Sequence, residues 1–399
     1  MSMDPKEPLP VVTTPVRERW RHTWHDLVEE VLKAEVCTGC SGCVIACPQK
    51  VLDLDEPTWT PRLSPEASTG ESGDHCVYGD RGCTLCARAC PRFGPWETDA
   101  DVAMWSRARS VEEVIGVHRR VLLVQTTDPQ IAEVGQDGAF GTSLLLYALD
   151  NGYIDSAVVS YFDDGMRTRP GVARSREELL ACAGSRYTYS PNLLAVDDAV
   201  DGNPGRVGVI SVGCQTSVPA IARARGANKL AKRFGLVVGL LCSKTFTENI
   251  YEDLLGVNYG VDRDRITKVN IKGRLQVWHT DAQDEPAFLE VPLSECREFT
   301  RPGCMHCPDF AAEHADLSLG GIGKYAGRTL TITRSELGDE ILTSMERAGL
   351  ITVSDAVEDD PGAVALIHKM ATLQRKRWPT SPRGAGEPHL APAMLPGGP

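Results

Sequence analysis

The sequence lacks the features that would direct a chain into a membrane or out of the cell. None of its apolar runs reaches the roughly 18 residues that a membrane-spanning helix needs. Residues 1–20, MSMDPKEPLPVVTTPVRERW, contain no apolar stretch of the kind found in secretory signals. We therefore expect a cytoplasmic protein, in which the 14 cysteines stay reduced and serve as metal ligands more readily than as disulfide partners.

Basic charge is also in short supply. The chain has 42 Lys and Arg against 54 Asp and Glu, a formal net charge of -12. Because binding to a phosphate backbone needs a net basic face, this balance excludes a nucleic-acid surface. Three common site motifs are missing as well: G-x-G-x-x-G after a strand, G-x-x-x-x-G-K with Ser or Thr, and G-x-S-x-G. Their absence argues against a Rossmann nucleotide site, a P-loop and a serine hydrolase.

What the chain does have is enough length for several domains. With 399 residues and 42% hydrophobic content, it can form two or three domains with cores of their own. We divide it into an N-terminal extension (1–35), a cysteine-rich unit (36–97), two further regions (98–200 and 201–372) and a disordered tail rich in Pro and Gly (373–399). A helix predicted over 15–33 carries an apolar stripe that we expect to pack on the next domain: Trp20, Trp24, Leu27, Val28, Val31 and Leu32.

Beyond the cysteine-rich unit, strand-like and helix-like stretches alternate. RVLLVQTT precedes TSLLLYALDNG, SAVVSYF precedes SREELLACAG, and RVGVISVG precedes the long stretch VPAIARARGANKLAKRFG. LVVGLLCS, TENIYEDLLG, TLTIT, SELGDEILTSMERAG and LITVSD follow. Strands alternating with helices predict an α/β body with a largely parallel or mixed sheet. The fold class expected for the whole chain is α+β or α/β.

Two cysteine runs close with proline. The first is C-x2-C-x2-C-x3-C-P, the bacterial ferredoxin run, and the second ends in C-x2-C-x3-C-P after a longer first gap. In two-cluster ferredoxins, the fourth cysteine of each run ligates the other cluster. We therefore predict two 4Fe-4S clusters with crossed ligands, one held by Cys37, Cys40, Cys43 and Cys90, and one by Cys47, Cys76, Cys83 and Cys86.

Zinc is the alternative for these cysteines. Structural zinc sites usually pair two C-x2-C hooks, and neither run has that form. The N-terminal unit is therefore interpreted as an electron carrier with little core of its own.

A further hook lies far along the chain. Cys304 and Cys307 are spaced C-x2-C, and Cys214 and Cys242 each follow an apolar strand-like segment. Because an α/β sheet gathers functional groups at the carboxyl ends of its strands, these four thiols can meet. Spacing alone leaves two alternatives open, a third cluster or ordinary buried thiols. Cys182 and Cys296 have no partner at ligand spacing.

Residues 110 to 355 resemble the beta subunit of coenzyme F420-reducing hydrogenase and its deazaflavin-linked relatives. The segments that carry the resemblance are GAFGTSLLLYALDNGYID, AGSRYTYSPN, SVGCQTSVPAI, GLLCSKTF, NIKGRL and CMHCPDFAAEHADLSLGGIG. With the ferredoxin-like unit in front, the chain is similar to the input-subunit type of the F420H2 dehydrogenase. It departs from the family pattern at Ala139, where a second glycine is common, and at 212–213, where Val-Gly replaces Thr-Pro.

The resemblance implies an FAD beside a third 4Fe-4S cluster held by Cys214, Cys242, Cys304 and Cys307. Positions that match the family implicate further residues in FAD binding: Gly138, Thr142, Ser143, Ser185, Arg186, Tyr187, Ser190, Asn192, Lys272, Gly320 and Gly321. A basic patch for the anionic tail of the deazaflavin is expected at Arg186, Lys272, Arg274 and Arg301.

The implied activity is hydride exchange between coenzyme F420 and FAD. Single electrons would then pass through the clusters to ferredoxin or a partner redox subunit. The protein would orient and tune its cofactors, and no catalytic side chain is predicted. Two alternatives remain open: a ferredoxin-dependent reductase of a chlorophyll-precursor-like substrate, and a relay subunit that works only within a larger complex.

Overall fold

The computed structural model describes residues 20–56, 58–70, 74–163, 166–200, 206–322 and 327–377. None of the helices in these ranges is long and apolar enough to cross a membrane. The disordered tail was predicted to begin at residue 373, but residues 373–375 belong to the helix Pro361–Arg375; from position 378 onward the tail lies outside the described residues. The α-helices are α1 Trp24–Leu27, α2 Gly42–Ala46, α3 Leu85–Ala89, α4 Trp96–Trp105, α5 Pro129–Val134, α6 Phe140–Asp150, α7 Arg176–Ala181, α8 Val196–Ala199, α9 Gly213–Ala224, α10 Asn228–Ala231, α11 Glu336–Arg347, α12 Ala356–Asp359 and α13 Pro361–Arg375.

The strands form one large sheet and three small ones. They are β1 Leu52–Asp55, β2 Thr60–Leu63, β3 Ser68–Thr69, β4 His75–Cys76, β5 Arg120–Thr126, β6 Ser156–Phe162, β7 Thr168–Ala173, β8 Val207–Val212, β9 Phe234–Leu240, β10 Ile266–Ile271, β11 Arg274–Thr280, β12 Pro286–Pro292, β13 Leu317–Gly320, β14 Thr329–Thr333 and β15 Ile351–Asp355. The large sheet has the order β15-β5-β14-β13-β9-β8-β6-β7. Its centre is parallel, from β13 through β9 and β8 to β6, and its flanks are antiparallel. The predicted mixed α/β architecture is therefore confirmed.

Alternate residues of the central strands supply two cores. Val158, Val209 and Val237 face α9 and the cysteine-rich unit, together with the buried Val218. Their neighbours along the strands face the other side, where Phe140 and Leu144 of α6 pack with α11. The sheet thus separates the cysteine-rich side of the molecule from an apolar layer built around α6 and α11.

The cysteine-rich unit has a small core in which thiols and aromatic rings pack with aliphatic side chains. α1 runs into a π-helical stretch, Val28–Leu32, and the part of the predicted apolar stripe within the described residues packs onto this unit. Trp24 and Leu27 are buried there beside Cys76, Cys86 and Cys90. Residues 15–19 of the predicted helix lie outside the described residues, and residues 20–23 are not helical, since the helix begins at Trp24.

A second accessory unit was not predicted. β10, β11 and β12 form an antiparallel meander, packed against a π-helical stretch, Ile250–Asn258, and the buried Cys296. Its outer face carries polar residues mixed with rings such as Phe288 and Trp278. The sequence of these strands therefore lacks the apolar pattern that identifies a buried strand.

A buried ion network ties α4, the segment after it and α13 to the body. Arg109 contacts Asp101 at 2.6 Å, Glu97 at 3.1 Å and the carboxylate of Glu313. Arg375 of α13 reaches Glu97 at 3.0 Å and Glu313 at 2.6 Å. Burial opposes ionisation, but the hydrogen bonds from Arg109 and His314 lower the pKa of Asp101 below its usual range. Burial likewise opposes ionisation of Glu313, but Arg109 and Arg375 lower its pKa, so both carboxylates depend on the guanidinium groups.

We expect Arg109→Met to destabilise the protein by about 3–5 kcal/mol, because it leaves three buried carboxylates with a single remaining arginine. The measurement is urea unfolding of the full chain at neutral pH. Arg107→Met is the matched control, since Arg107 pairs with Glu113 at the surface, and such pairs contribute at most about 1 kcal/mol. Equal losses in the two variants would contradict a special role for the buried network.

Candidate cofactor site

A cleft opens at the carboxyl ends of the parallel strands of the large sheet. The segments that follow β8, β9 and β13 contribute Val212, Cys242 and Gly321 to its walls. Its volume is about 400 Å³, within the roughly 300–1,000 Å³ typical of cofactor and ligand pockets. The carboxyl edge of an open α/β sheet is where such sheets bind ligands, so this cleft is the candidate cofactor site.

Most residues implicated by the family resemblance border this cleft. They come from α6, from the 185–192 segment and from the end of β13: Thr142, Ser185, Arg186, Tyr187, Ser190, Asn192, Gly320 and Gly321. Sequence segments more than a hundred residues apart are therefore brought to one cavity.

Three of the implicated residues do not border the cleft. Gly138 has φ +80° and packs so tightly that an added Cβ would lie 2.6 Å from the carbonyl oxygen of Val124. Ser143 is buried and its Oγ donates to Thr126 Oγ1 at 2.7 Å. Lys272 forms an ion pair with Asp137, which does border the cleft, at 3.1 Å. Gly138 and Ser143 thus support the cleft wall without lining it. Lys272 contacts the wall only through its ion pair with Asp137.

Ala139 is one of the positions at which the chain departs from the expected family pattern. It begins α6 with φ +53°, in the left-handed region that glycine adopts without strain. A glycine at this position, as the family resemblance leads us to expect, would adopt this conformation without strain. The chain keeps the backbone geometry despite the alanine, and Ala139 itself borders the cleft.

The chemistry of the walls fits a flavin. Aliphatic side chains such as Leu145, Ile210 and Leu319 give a planar ring apolar surroundings. Ser190 Oγ and Asn192 Oδ1 are buried and have no hydrogen-bond partner in the described part of the chain. Buried polar atoms are rarely left unsatisfied, so unpaired ones on the wall of a cleft favour a polar ligand there.

Gln215 holds the 189–193 segment in this arrangement. It is fully buried, its Nε2 donates to the Ser190 carbonyl at 2.7 Å, and its Oε1 accepts from the Leu193 amide at 3.2 Å. Sequence reasoning missed Gln215. Its place directly after a predicted ligand, Cys214, at the start of a helix is the signal that could have identified it.

Four distant thiols meet beside the cleft. Cys214 lies in the first turn of α9, and Cys242 follows β9. Cys304 lies within the 3-10 turn Pro302–His306, and Cys307 directly follows it. Burial raises the pKa of Cys242 well above its ordinary value, and the nearby Cys304, Cys214 and Cys307 raise it further. We call these four residues the third thiol set. Cys242 is also part of the cleft wall, so the set and the cleft share a residue.

The remaining eight cysteines that were singled out fall into two groups. One small enclosed space is lined by Cys37, Cys40, Cys43 and Cys90, the first thiol set. Another is lined by Cys47, Cys76, Cys83 and Cys86, the second thiol set. Each group takes three cysteines from one sequence run and one from the other. Burial raises the pKa of Cys40, Cys86 and Cys90 to about 12, so these thiols need a bound cation to act as thiolates.

A single metal ion does not suit these groups. In the described ranges, no three His, Cys, Asp or Glu side chains stand close enough together to hold one ion. A zinc ion needs its sulfur ligands about 2.3 Å from a common centre. A 4Fe-4S cube takes one thiolate on each iron and so spreads its ligands over a larger object. The all-thiol sets fit cubes in ligand chemistry and number.

The expected basic patch is only partly at the cleft. Arg186 borders it, but three backbone carbonyls, of Cys182, Ala183 and Gly184, accept from its Nη1. Arg274 lies 3.7 Å from Glu290 on the meander. Arg301 is wrongly placed in the prediction, since it is 4% exposed and donates to the carbonyls of Thr38 and Thr58. It joins two parts of the chain and does not border the cleft.

Lys244 is the cation that sequence reasoning missed. It borders the cleft two residues after Cys242. Burial and then the neighbouring charges of Arg377 and Arg297 lower its pKa, while Cys296 and Cys304 act in the opposite direction. Its Nζ lies 5.5 Å from the centre of the Phe246 ring. Its position within a strand-to-loop segment rich in small residues gave no pattern that would have singled it out.

Comparison with known proteins gives consistent results. The family model for the N-terminal part of the coenzyme F420 hydrogenase/dehydrogenase beta subunit matches residues 121–197, and the model for its C-terminal part matches residues 205–359. The chain is similar to the coenzyme F420 hydrogenase subunit beta of Methanothermobacter thermautotrophicus, with 32% identity over 271 residues that cover 66% of this chain and 94% of that protein.

Similarity to one relative extends into the cysteine-rich unit. The F subunit of the F(420)H(2) dehydrogenase of Methanosarcina mazei is 24% identical over 360 residues, covering 88% of this chain and 92% of that protein. Among solved structures, a chain of the F420-reducing NiFe hydrogenase complex from Methanosarcina barkeri superposes with a TM-score of 0.60 at 26% identity, over 66% of this chain and 91% of that one.

Proposed function

The chain belongs to the family of coenzyme F420 hydrogenase/dehydrogenase beta subunits, and we propose that it is an oxidoreductase that exchanges hydride with coenzyme F420 at an FAD in the cleft. In this proposal, single electrons pass through three 4Fe-4S clusters to ferredoxin or a partner redox subunit. The observation that carries it is Cys242, which is at once part of the cleft wall and a member of the third thiol set.

A bound flavin supplies the conversion, since it accepts a hydride and releases single electrons. The chain's own residues position it. The small residues Gly320 and Gly321 border the cleft at the end of β13, where Leu241 and Asp137 fill the space that side chains would take. The aliphatic walls exclude water from the ring. The unpaired atoms of Ser190 and Asn192 are available to orient it.

The loop that carries Cys242 is fixed from the C-terminal side. Gln374 of α13 donates to the carbonyls of Cys242 at 3.0 Å and Asp309 at 2.9 Å. Arg377 donates to the Ser243 carbonyl at 2.5 Å. These bonds hold the shared wall between the cleft and the third thiol set in one conformation, which a short electron path requires.

The decisive measurement is the cofactor content and activity of the full chain prepared anaerobically. We expect about twelve irons per chain, four for each of three clusters, one FAD, and reduction of viologen by reduced F420. Protein without flavin or F420-dependent dye reduction would contradict the proposal. Turnover of a chlorophyll-precursor-like substrate with reduced ferredoxin would select the alternative reductase.

The crossed thiol sets predict which variants share a defect. We expect Cys47→Ala to lose the same EPR signal as Cys83→Ala, and Cys90→Ala the same signal as Cys40→Ala, each with about a third less iron. Cys296→Ala is the control, because Cys296 lies in the core of the meander, apart from all three sets. If Cys47→Ala instead lost the signal missing from Cys40→Ala, each run would hold its own cluster.

Lys244 is expected to bind the anionic tail of the deazaflavin. Removal of one charge-assisted contact costs about 1.5–3 kcal/mol, so Lys244→Ala should raise KM for F420 about tenfold or more, with kcat little changed. The difference should shrink at high salt. Lys268→Ala, on the meander and outside the cleft, is the control. An unchanged KM in Lys244→Ala, with full iron content, would place the tail elsewhere.

A further inference from the structure

The side chain of Arg92 lies between two of the thiol sets. It is 2% exposed and helps to line the space enclosed by the first set. Its Nη2 donates to the Sγ of Cys307, in the third set, at 3.1 Å. Its charge also acts on Cys214 and on Cys40, one thiol from each set. One guanidinium group therefore faces both sets.

Arg92 is held firmly in this position. It follows Cys90 and Pro91, so the segment that supplies the last thiol of the first set also supplies the arginine. Its Nη1 donates to the Pro91 carbonyl at 2.9 Å, and the guanidinium lies 4.6 Å from the centre of the Trp96 ring. A buried arginine with these contacts has little freedom to turn away from the sulfur.

The first set adjoins the third in other ways too. Gly303 packs so closely on the first run that an added Cβ would lie 1.9 Å from the carbonyl oxygen of Cys37. Tyr189, which borders the cleft, donates from its hydroxyl to the carbonyl of Gly39 at 2.9 Å. Direct contacts of the chain therefore connect the segment that carries the first set both to the third set and to the cleft wall.

The second set adjoins the first. Its enclosed space is lined by side chains of the N-terminal helix and the cysteine-rich unit, such as Trp24 and Tyr78. Of the described residues that line this space, none also borders the cleft. Cys43 packs in one buried core with Cys76 and Cys86 of the second set, whereas Cys40 packs in the core that contains Cys214 of the third, so the first set lies between the other two.

We propose that the three thiol sets form a linear relay in the order third, first, second. In this relay, Arg92 is the positioning residue that couples the third and first sets by favouring the reduced state of each. This inference rests on the proposed function. Each transfer moves one electron, so one site is oxidised by one electron as the next is reduced by one, and no atom or proton moves. A cation and an N–H donor to sulfur both stabilise the more negative, reduced cluster.

The test is an anaerobic redox titration of the reconstituted full chain, followed by EPR, for Arg92→Gln and Arg92→Lys. The second-set signal is assigned with Cys83→Ala and the first-set signal with Cys40→Ala. At the wild-type midpoint potential, we expect Arg92→Gln to lower the ratio of reduced to oxidised centres about tenfold for the third and first sets, a shift of about 59 mV for one electron. The second set should keep its midpoint potential, and Arg92→Lys should recover most of the loss.

Arg88→Gln is the matched control. Arg88 lies four residues before Arg92 and donates to Thr84 Oγ1 at 3.0 Å and to the Arg225 carbonyl at 2.9 Å. Its loss should leave all three midpoint potentials unchanged. If neither Arg92 variant changed a midpoint potential, Arg92 would have a purely structural role. If the midpoint potential of the second set changed together with that of the third, the proposed relay order would be wrong.

Two further outcomes are separable. If Arg92→Gln fails to retain iron, Arg92→Lys still decides, since it keeps the charge, loses the planar fork and should shift the same two sets by a smaller amount. Failure of the proposed function would show in the wild-type protein, as missing flavin or missing F420-dependent dye reduction. Midpoint potentials in an iron-loaded chain would then still test the relay order.

Discussion

The position of the cysteine-rich unit on the body depends on buried arginines that donate to backbone carbonyls. Arg225, at the end of α9, donates to the carbonyls of Cys90 at 3.0 Å and Phe93 at 2.5 Å. Arg301, which lies 3.7 Å from the centre of the Tyr189 ring, does the same for Thr38 at 2.8 Å. A buried guanidinium is costly unless its N–H groups are satisfied. Because backbone carbonyls cannot rotate away, these bonds fix one orientation of the unit.

The same constraint explains an apparent mismatch in charge. The protein is acidic overall, yet its interior holds several arginines that are almost fully buried. Thiolate-bound clusters would add negative charge to this interior, and Arg92 and Arg225 lie beside the thiols that would carry it. Buried cations thus offset the charge that the proposed cofactors would bring, which burial alone would make unfavourable.

Much of the large sheet could be predicted because its strands are apolar on both faces and its helices have clear periodicity. The strands β5, β6 and β8 lie where they were predicted, in RVLLVQTT, SAVVSYF and RVGVISVG. The single long helix expected after β8 is instead split into α9 and α10, because Gly226 takes a positive φ of 76° between them. The meander of β10 to β12 was missed, since its outer face is polar and exposed and its strands are joined by short turns. Periodicity identifies buried strands better than those at a wet surface.

The candidate site shows a similar division. Thiol spacing divides eight cysteines into the same two groups that line the two small spaces, while their role as cluster ligands stays a prediction based on the ferredoxin run. Charged contacts were harder to predict: Arg301 was expected at a ligand and is buried at an interface, while Lys244 was overlooked. A cation's role depends on what packs against it, which a linear pattern does not encode. Cys242 is the instructive case, because its single position after β9 places it both on the cleft wall and in the third thiol set. The sheet's carboxyl edge therefore joins the two proposed halves of the chemistry directly, so no additional carrier is needed between the cleft and the first electron acceptor.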